Sequence, residues 1–99
     1  MTHPGPRPIY GDTVALQADD EDMVITGAIV VQGGHRDGRG HVDLTLPDLD
    51  PMQRTVLESA SQLYFELHHG GERLYRSPEL QITGVRPDGE TGLVLTARP

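Results

Sequence analysis

The sequence predicts a mainly β domain, either an antiparallel β-sandwich or a small β-barrel of about seven strands, with one short helix near residues 51–60. Segments of alternating apolar and polar residues, a long β-branched run and turn signals every 8 to 12 residues or so lead to that expectation. With 99 residues there is room for one hydrophobic core. The expected organisation is an extended Pro-rich arm over residues 1–10 followed by a single β domain over residues 11–99.

The arm begins Met-Thr-His-Pro-Gly-Pro-Arg-Pro, a composition that excludes helix and favours an extended, polyproline-like chain. Val14 and Leu16 between polar neighbours predict a first strand from Thr13 to Gln17, and the acidic run Asp19 to Asp22 predicts a solvated turn. Met23 to Gln32 is too continuously apolar for a strand with one face fully in water, and Gly27 marks a bulge or bend within it. Gly33 to Gly40 reads as a long glycine-rich hairpin tip leading into His41 to Leu46, where Val42, Leu44 and Leu46 alternate with His41, Asp43 and Thr45.

Asp50-Pro51 is a helix start, a capping residue followed by proline at the first helical position. Met52, Val56, Leu57, Ala60 and Leu63 then share one helical face, and Arg54 and Glu58 sit four apart on another. An irregular strand from Thr55 to Ser61 is the alternative. Leu63, Phe65 and Leu67 alternate with Tyr64, Glu66 and His68, and Gly70-Gly71 supplies a two-residue turn with positive backbone angles. Counting outward from that turn sets Leu67 opposite Leu74 and Glu66 opposite Tyr75. Leu80 and Ile82, the Pro87-Asp88-Gly89 turn, and Leu93 and Leu95 complete a last hairpin.

Composition narrows the function classes. The absence of cysteine removes disulfides, thiolate metal sites and cysteine nucleophiles. A formal charge of −7 opposes nucleic acid and anionic membranes, and makes a basic partner more plausible than an acidic one. All eight cationic residues are arginines, which suit bidentate interface contacts. No stretch reads as a membrane span or a signal peptide, so the expected location is cytoplasmic or within a virion.

Among candidate sites, His35, Asp37 and His41, with Asp43 nearby, carry the nitrogen and oxygen ligands that zinc takes, but in no defined spacing, and no metal or other cofactor is expected. Alternation puts Tyr64, Glu66 and His68 on one face, joined across the hairpin by Arg73 and Tyr75, a polar and aromatic strip suited to a partner. The arm residues Pro4, Pro6, Arg7, Pro8 and Tyr10 form a second contact region. No serine sits in a nucleophile turn and no glycine-rich stretch ends in the lysine of a phosphate loop. The reading that follows is a non-catalytic interaction or assembly module whose partner is itself or a larger assembly, such as a decoration or head-tail joining component of a bacterial virus. The alternatives are a small acidic inhibitor or antidote that binds a basic partner, and an accessory ligand-binding domain.

Overall fold

The computed structural model describes residues 7–36 and 39–99, without the side chains of residues 35–39. Its elements run β1 (Ile9–Ala18), β2 (Glu21–Arg36), β3 (Arg39–Leu46), α1 (Pro51–Ser59), β4 (Gln62–His69), β5 (Glu72–Arg76), β6 (Leu80–Asp88) and β7 (Gly92–Arg98). All strand pairings are antiparallel, in the order β1-β2-β3-β7-β6-β4-β5, and β1 also pairs with β4. That last pairing closes the sheet on itself, so β1, β2, β3, β7, β6 and β4 form a barrel, and β5 continues past β6 along the edge of β4 opposite β1. Of the sandwich and the barrel that the sequence allows, the register selects the barrel.

Alternation supplies the interior. Val14, Leu16 and Ala18 of β1, Ile25, Ile29 and Val31 of β2, and Val42, Leu44 and Leu46 of β3 point inward, facing Leu63, Phe65 and Leu67 of β4 and Leu93, Leu95 and Ala97 of β7. A bulge shifts the register between β1 and β2: Gly11 pairs with Ile29 but Thr13 pairs with Thr26, leaving Gly27 and Ala28 opposite Asp12, and burial on β1 passes from Gly11 to Val14. Gly27 has φ 132°, which an L side chain rarely adopts, and Pro47 packs over it.

Hairpin turns at either end of β1 and β4 are tied by carboxylates. The Asp19-Asp20 turn alone joins β1 to β2, with Glu21 and Asp22 already in the strand. Asp19 is not merely solvated as expected: at φ 53° its carboxylate accepts the Ser61 and Gln62 backbone N–H groups at 3.1 and 3.0 Å, fixing the start of β4. Asp12 does the same at the far end, accepting the Gly70 N–H at 2.9 Å and the Thr13 hydroxyl at 3.0 Å. Those donors hold its carboxyl below the usual carboxylate range.

The helix forms as its start signal implies. Asp50 accepts the Gln53 N–H at 2.7 Å while Gln53 Oε1 accepts the Asp50 N–H at 3.1 Å, a reciprocal capping box ahead of Pro51. Leu57 is buried and Val56 and Ala60 pack against the core, but Met52, expected on that face, is 78% exposed. At the first turn the apolar stripe has not yet met the barrel. Arg54 pairs with Glu58 at 3.7 Å and donates to the Glu90 carbonyl at 2.7 Å, holding the helix to the β6–β7 turn. None of the described helices is long and apolar enough to cross a membrane.

Two further expectations are corrected here. The glycine-rich tip is shorter than the span from Gly33 to Gly40, because β2 and β3 stay paired from Gly33↔Val42 to Arg36↔Arg39. Gly34 belongs to the ladder because His41 lies over it; a Cβ there would sit 2.9 Å from His41 Cε1. Ile9 and Tyr10, assigned to the arm, are the first residues of β1 and pair with Val31 and Val30.

Candidate functional site

The outer surface of β2, β1, β4 and β5 carries four of the candidate contact residues, Tyr64, Glu66, His68 and Arg73. Cross-strand register aligns them in rows: Val24, Ala15, Glu66 and Arg76; Asp22, Gln17 and Tyr64; Thr26, Thr13, His68 and Arg73. Because Val14, Leu16 and Ile25 face the core, their neighbours Ala15, Gln17 and Val24 must face outward. Val24 is 61% exposed on this face. Ala15, Gln17, Asp22, Val24, Tyr64 and Glu66 line a shallow groove of about 470 Å³.

Glu66 is the electrostatic centre of this face. Its carboxylate lies 3.5 Å from His68 Nε2, 3.8 Å from Arg73 Nη1 and 3.9 Å from Arg76 Nε. Arg76 also donates to the Tyr64 hydroxyl at 2.5 Å and stacks over its ring at 5.6 Å from the centroid. One carboxylate thus shares two guanidinium groups. Asp22, on the β2 side of the same face, has no side-chain partner among the described residues.

Four of the strip residues expected from alternation, Tyr64, Glu66, His68 and Arg73, do come together. Tyr75 does not. The Gly70-Gly71 turn forms with φ 58° and 84°, as expected, but a bulge follows it: His68 pairs with Arg73 while Leu67 pairs with Tyr75, so Leu74 is the extra residue. The inserted residue shifts the register by one and turns Tyr75 inward. Tyr75 is 9% exposed and packs on Phe65 with ring centroids 5.6 Å apart. Leu74, expected opposite Leu67, is 41% exposed instead. Arg76, Asp22, Val24, Ala15, Gln17, Thr13 and Thr26 also belong to this face, and reasoning on the strip alone omitted them.

Burial pushes the Tyr75 phenol pKa up, and its hydroxyl has no hydrogen-bond partner among the described residues. An unpaired buried hydroxyl costs about 1–3 kcal/mol. Tyr75→Phe is therefore expected to leave stability unchanged or raise it by about 1 kcal/mol, measured by urea unfolding followed by circular dichroism. A loss above that size would mean that the hydroxyl has a partner.

The remaining candidates lie apart. Pro4, Pro6, Asp37 and the His35 side chain fall outside the described residues, while Arg7 and Tyr10 are exposed at the entry to β1. His35 pairs with Gly40, and His41 with Gly34. His41 Nε2 is 3.7 Å from Asp43, whose other oxygen accepts the Thr96 hydroxyl at 2.6 Å. Here the carboxylate sits between hydroxyl and imidazole, the inverse of the order in which an imidazole activates a hydroxyl nucleophile. Among the described residues no group of three or more His, Asp or Glu side chains is arranged to hold a metal ion.

These features define a closed antiparallel β-barrel with charged and aromatic side chains grouped on one outer face. A scan against family models, a search of curated proteins and a search of solved structures found no match for the chain.

Proposed function

We propose that the chain is a non-catalytic protein–protein interaction module that engages its partner through the outer face of β2, β1, β4 and β5. The observation that carries this reading is the exposed Val24 beside Ala15 and the groove, flanked by Tyr64 and its stacked Arg76. Tyrosine and arginine dominate interface energetics because they combine large contact area with directional polar groups. A sheet closed into a barrel holds such groups in fixed positions, which lowers the ordering cost of binding. Assembly into a larger particle, of the kind that bacterial viruses build, is the setting proposed for this contact. A small core with a single Phe gains stability from such association.

A photo-crosslinking amino acid placed at position 24, with position 86 on β6 as the control, tests the reading in cells that make the protein naturally. Adducts to a protein from position 24 and none from position 86 are the expected result. Equal labelling from both positions, or none, overturns it.

A further inference from the structure

We infer that the groove between Val24 and Tyr64 takes a lysine side chain presented by a different protein; the inference rests on the interaction-module reading and names the partner's chemistry. The groove joins an apolar stretch to a carboxylate. Ala15, Leu16, Met23 and Val24 supply its apolar lining, and Asp22 lies at one end. Val24 and Asp22 are both exposed on β2, two residues apart and so about 7 Å apart along the strand. That spacing matches the aliphatic stem of lysine, which covers apolar surface while its ammonium reaches a charged partner.

Charge sets the direction in which the side chain lies. At the β5 end of the groove Glu66 already has Arg73 and Arg76 within 3.9 Å, and Arg76 covers the Tyr64 ring. A cation placed there would meet two arginines. At the β2 end Asp22 has no side-chain partner among the described residues, and Asp20 and Glu21, exposed on the same hairpin, add to the negative potential. The ammonium therefore sits at Asp22 with its stem over Val24 and Ala15. A formal charge of −7 on the whole chain favours the approach of a basic partner.

Other occupants fit less well. A purely apolar side chain would cover Asp22 without giving it a partner, which costs free energy. Arginine gains most over lysine where its planar guanidinium stacks on an aromatic ring, and Arg76 has already taken the Tyr64 ring. A second copy of the chain cannot provide the side chain, because the sequence contains no lysine.

Titration of the isotopically labelled full chain with N-acetyl-lysine N-methylamide, followed by backbone amide chemical shifts, tests this. One exposed side chain binds weakly, so saturation is expected in the millimolar range. The shifts are expected to concentrate at Ala15, Gln17, Asp22 and Val24. Asp22→Asn and Val24→Ser are each expected to weaken binding by about two- to fivefold, the size of an exposed contact. Both positions are exposed, so neither variant threatens the fold. Glu90→Gln removes the same charge at the β6–β7 turn and is expected to leave binding unchanged. The norleucine derivative, with the stem but no ammonium, is expected not to saturate. Shifts scattered over the acidic surface, equal weakening by Asp22→Asn and Glu90→Gln, or a norleucine or arginine derivative that binds as tightly as lysine overturns the inference. Adducts to a protein from position 24 without lysine binding overturn it and leave the interaction-module reading standing. Lysine binding in the groove with no adducts from position 24 overturns that reading, while the preference of the groove for lysine stands.

Discussion

Phe65→Ala is expected to remove about 3–5 kcal/mol of stability, the usual cost of deleting a buried aromatic side chain. Phe65 is fully buried on the inner face of β4 and packs on Tyr75 with an interplanar angle of 44°. Its backbone N–H is accepted by Ser77 Oγ at 2.9 Å and its carbonyl accepts the Ser77 N–H at 2.9 Å, so the chain leaving β5 is anchored to the same residue. The other large side chains of the interior are mostly leucines, isoleucines and valines, which cannot spread to refill an aromatic volume. A domain of this size has about 5–15 kcal/mol in total, so the variant should lose a large share of it. Each kcal/mol lost should lower the melting temperature by about 4–8 °C. A shift of only a few degrees in a thermal melt would mean that Phe65 does not fill the barrel as described.

Gly11→Ala is the second large effect, and Gly84→Ala its control. Both glycines sit in strands at ordinary backbone angles, so conformational strain does not separate them; space does. A Cβ on Gly11 would lie 2.7 Å from the His68 carbonyl oxygen and closer still to the Leu67 side chain, whereas on Gly84 the nearest atom is Thr96 Cβ at 3.9 Å. Backbone oxygen cannot rotate away, so relief requires β1 to move off β4, where the barrel closes. The expected cost at Gly11 is about 1–3 kcal/mol, as for other overpacked interiors, against less than about 0.5 kcal/mol at Gly84. Paired urea titrations check this, and equal losses at the two sites would contradict the close approach of β1 to β4.

Much of the local structure was legible in the sequence because it depends on neighbours in the chain. Alternation marks β3, β4 and β7, Asp50-Pro51 marks the helix start, Gly70-Gly71 marks a hairpin turn and Gly27 a bulge. Features set by distant contacts were not legible. The closure of β1 on β4 is a matter of register between segments far apart, and turn chemistry carries no trace of it. Gly33 and Gly34 resemble a loop until His41 is seen to need the space above Gly34. Asp19 reads as one acid among four until its carboxylate is seen to accept N–H groups from Ser61 and Gln62.

The proposed contact face divides in the same way. Tyr64, Glu66, His68 and Arg73 follow from period-two alternation within one hairpin. Tyr75 fails because a single extra residue at Leu74 reverses the side that every later residue faces, and nothing in Arg73-Leu74-Tyr75 announces a bulge. Val24 and Ala15 were within reach: once Ile25, Val14 and Leu16 are assigned inward, their neighbours have to point out.

Barrel closure also bears on how fast the chain can fold. The ladders that complete the ring, Thr13↔His68 between β1 and β4 and Val42↔Ala97 between β3 and β7, each join residues more than half the chain apart. Chain entropy must be lost before either pairing returns any energy. Folding is therefore set in the slow range of small domains, about milliseconds to seconds. Until the ring shuts, β1 and β4 both present bare strand edges, so a newly made chain is most open to mispairing before its final contacts form.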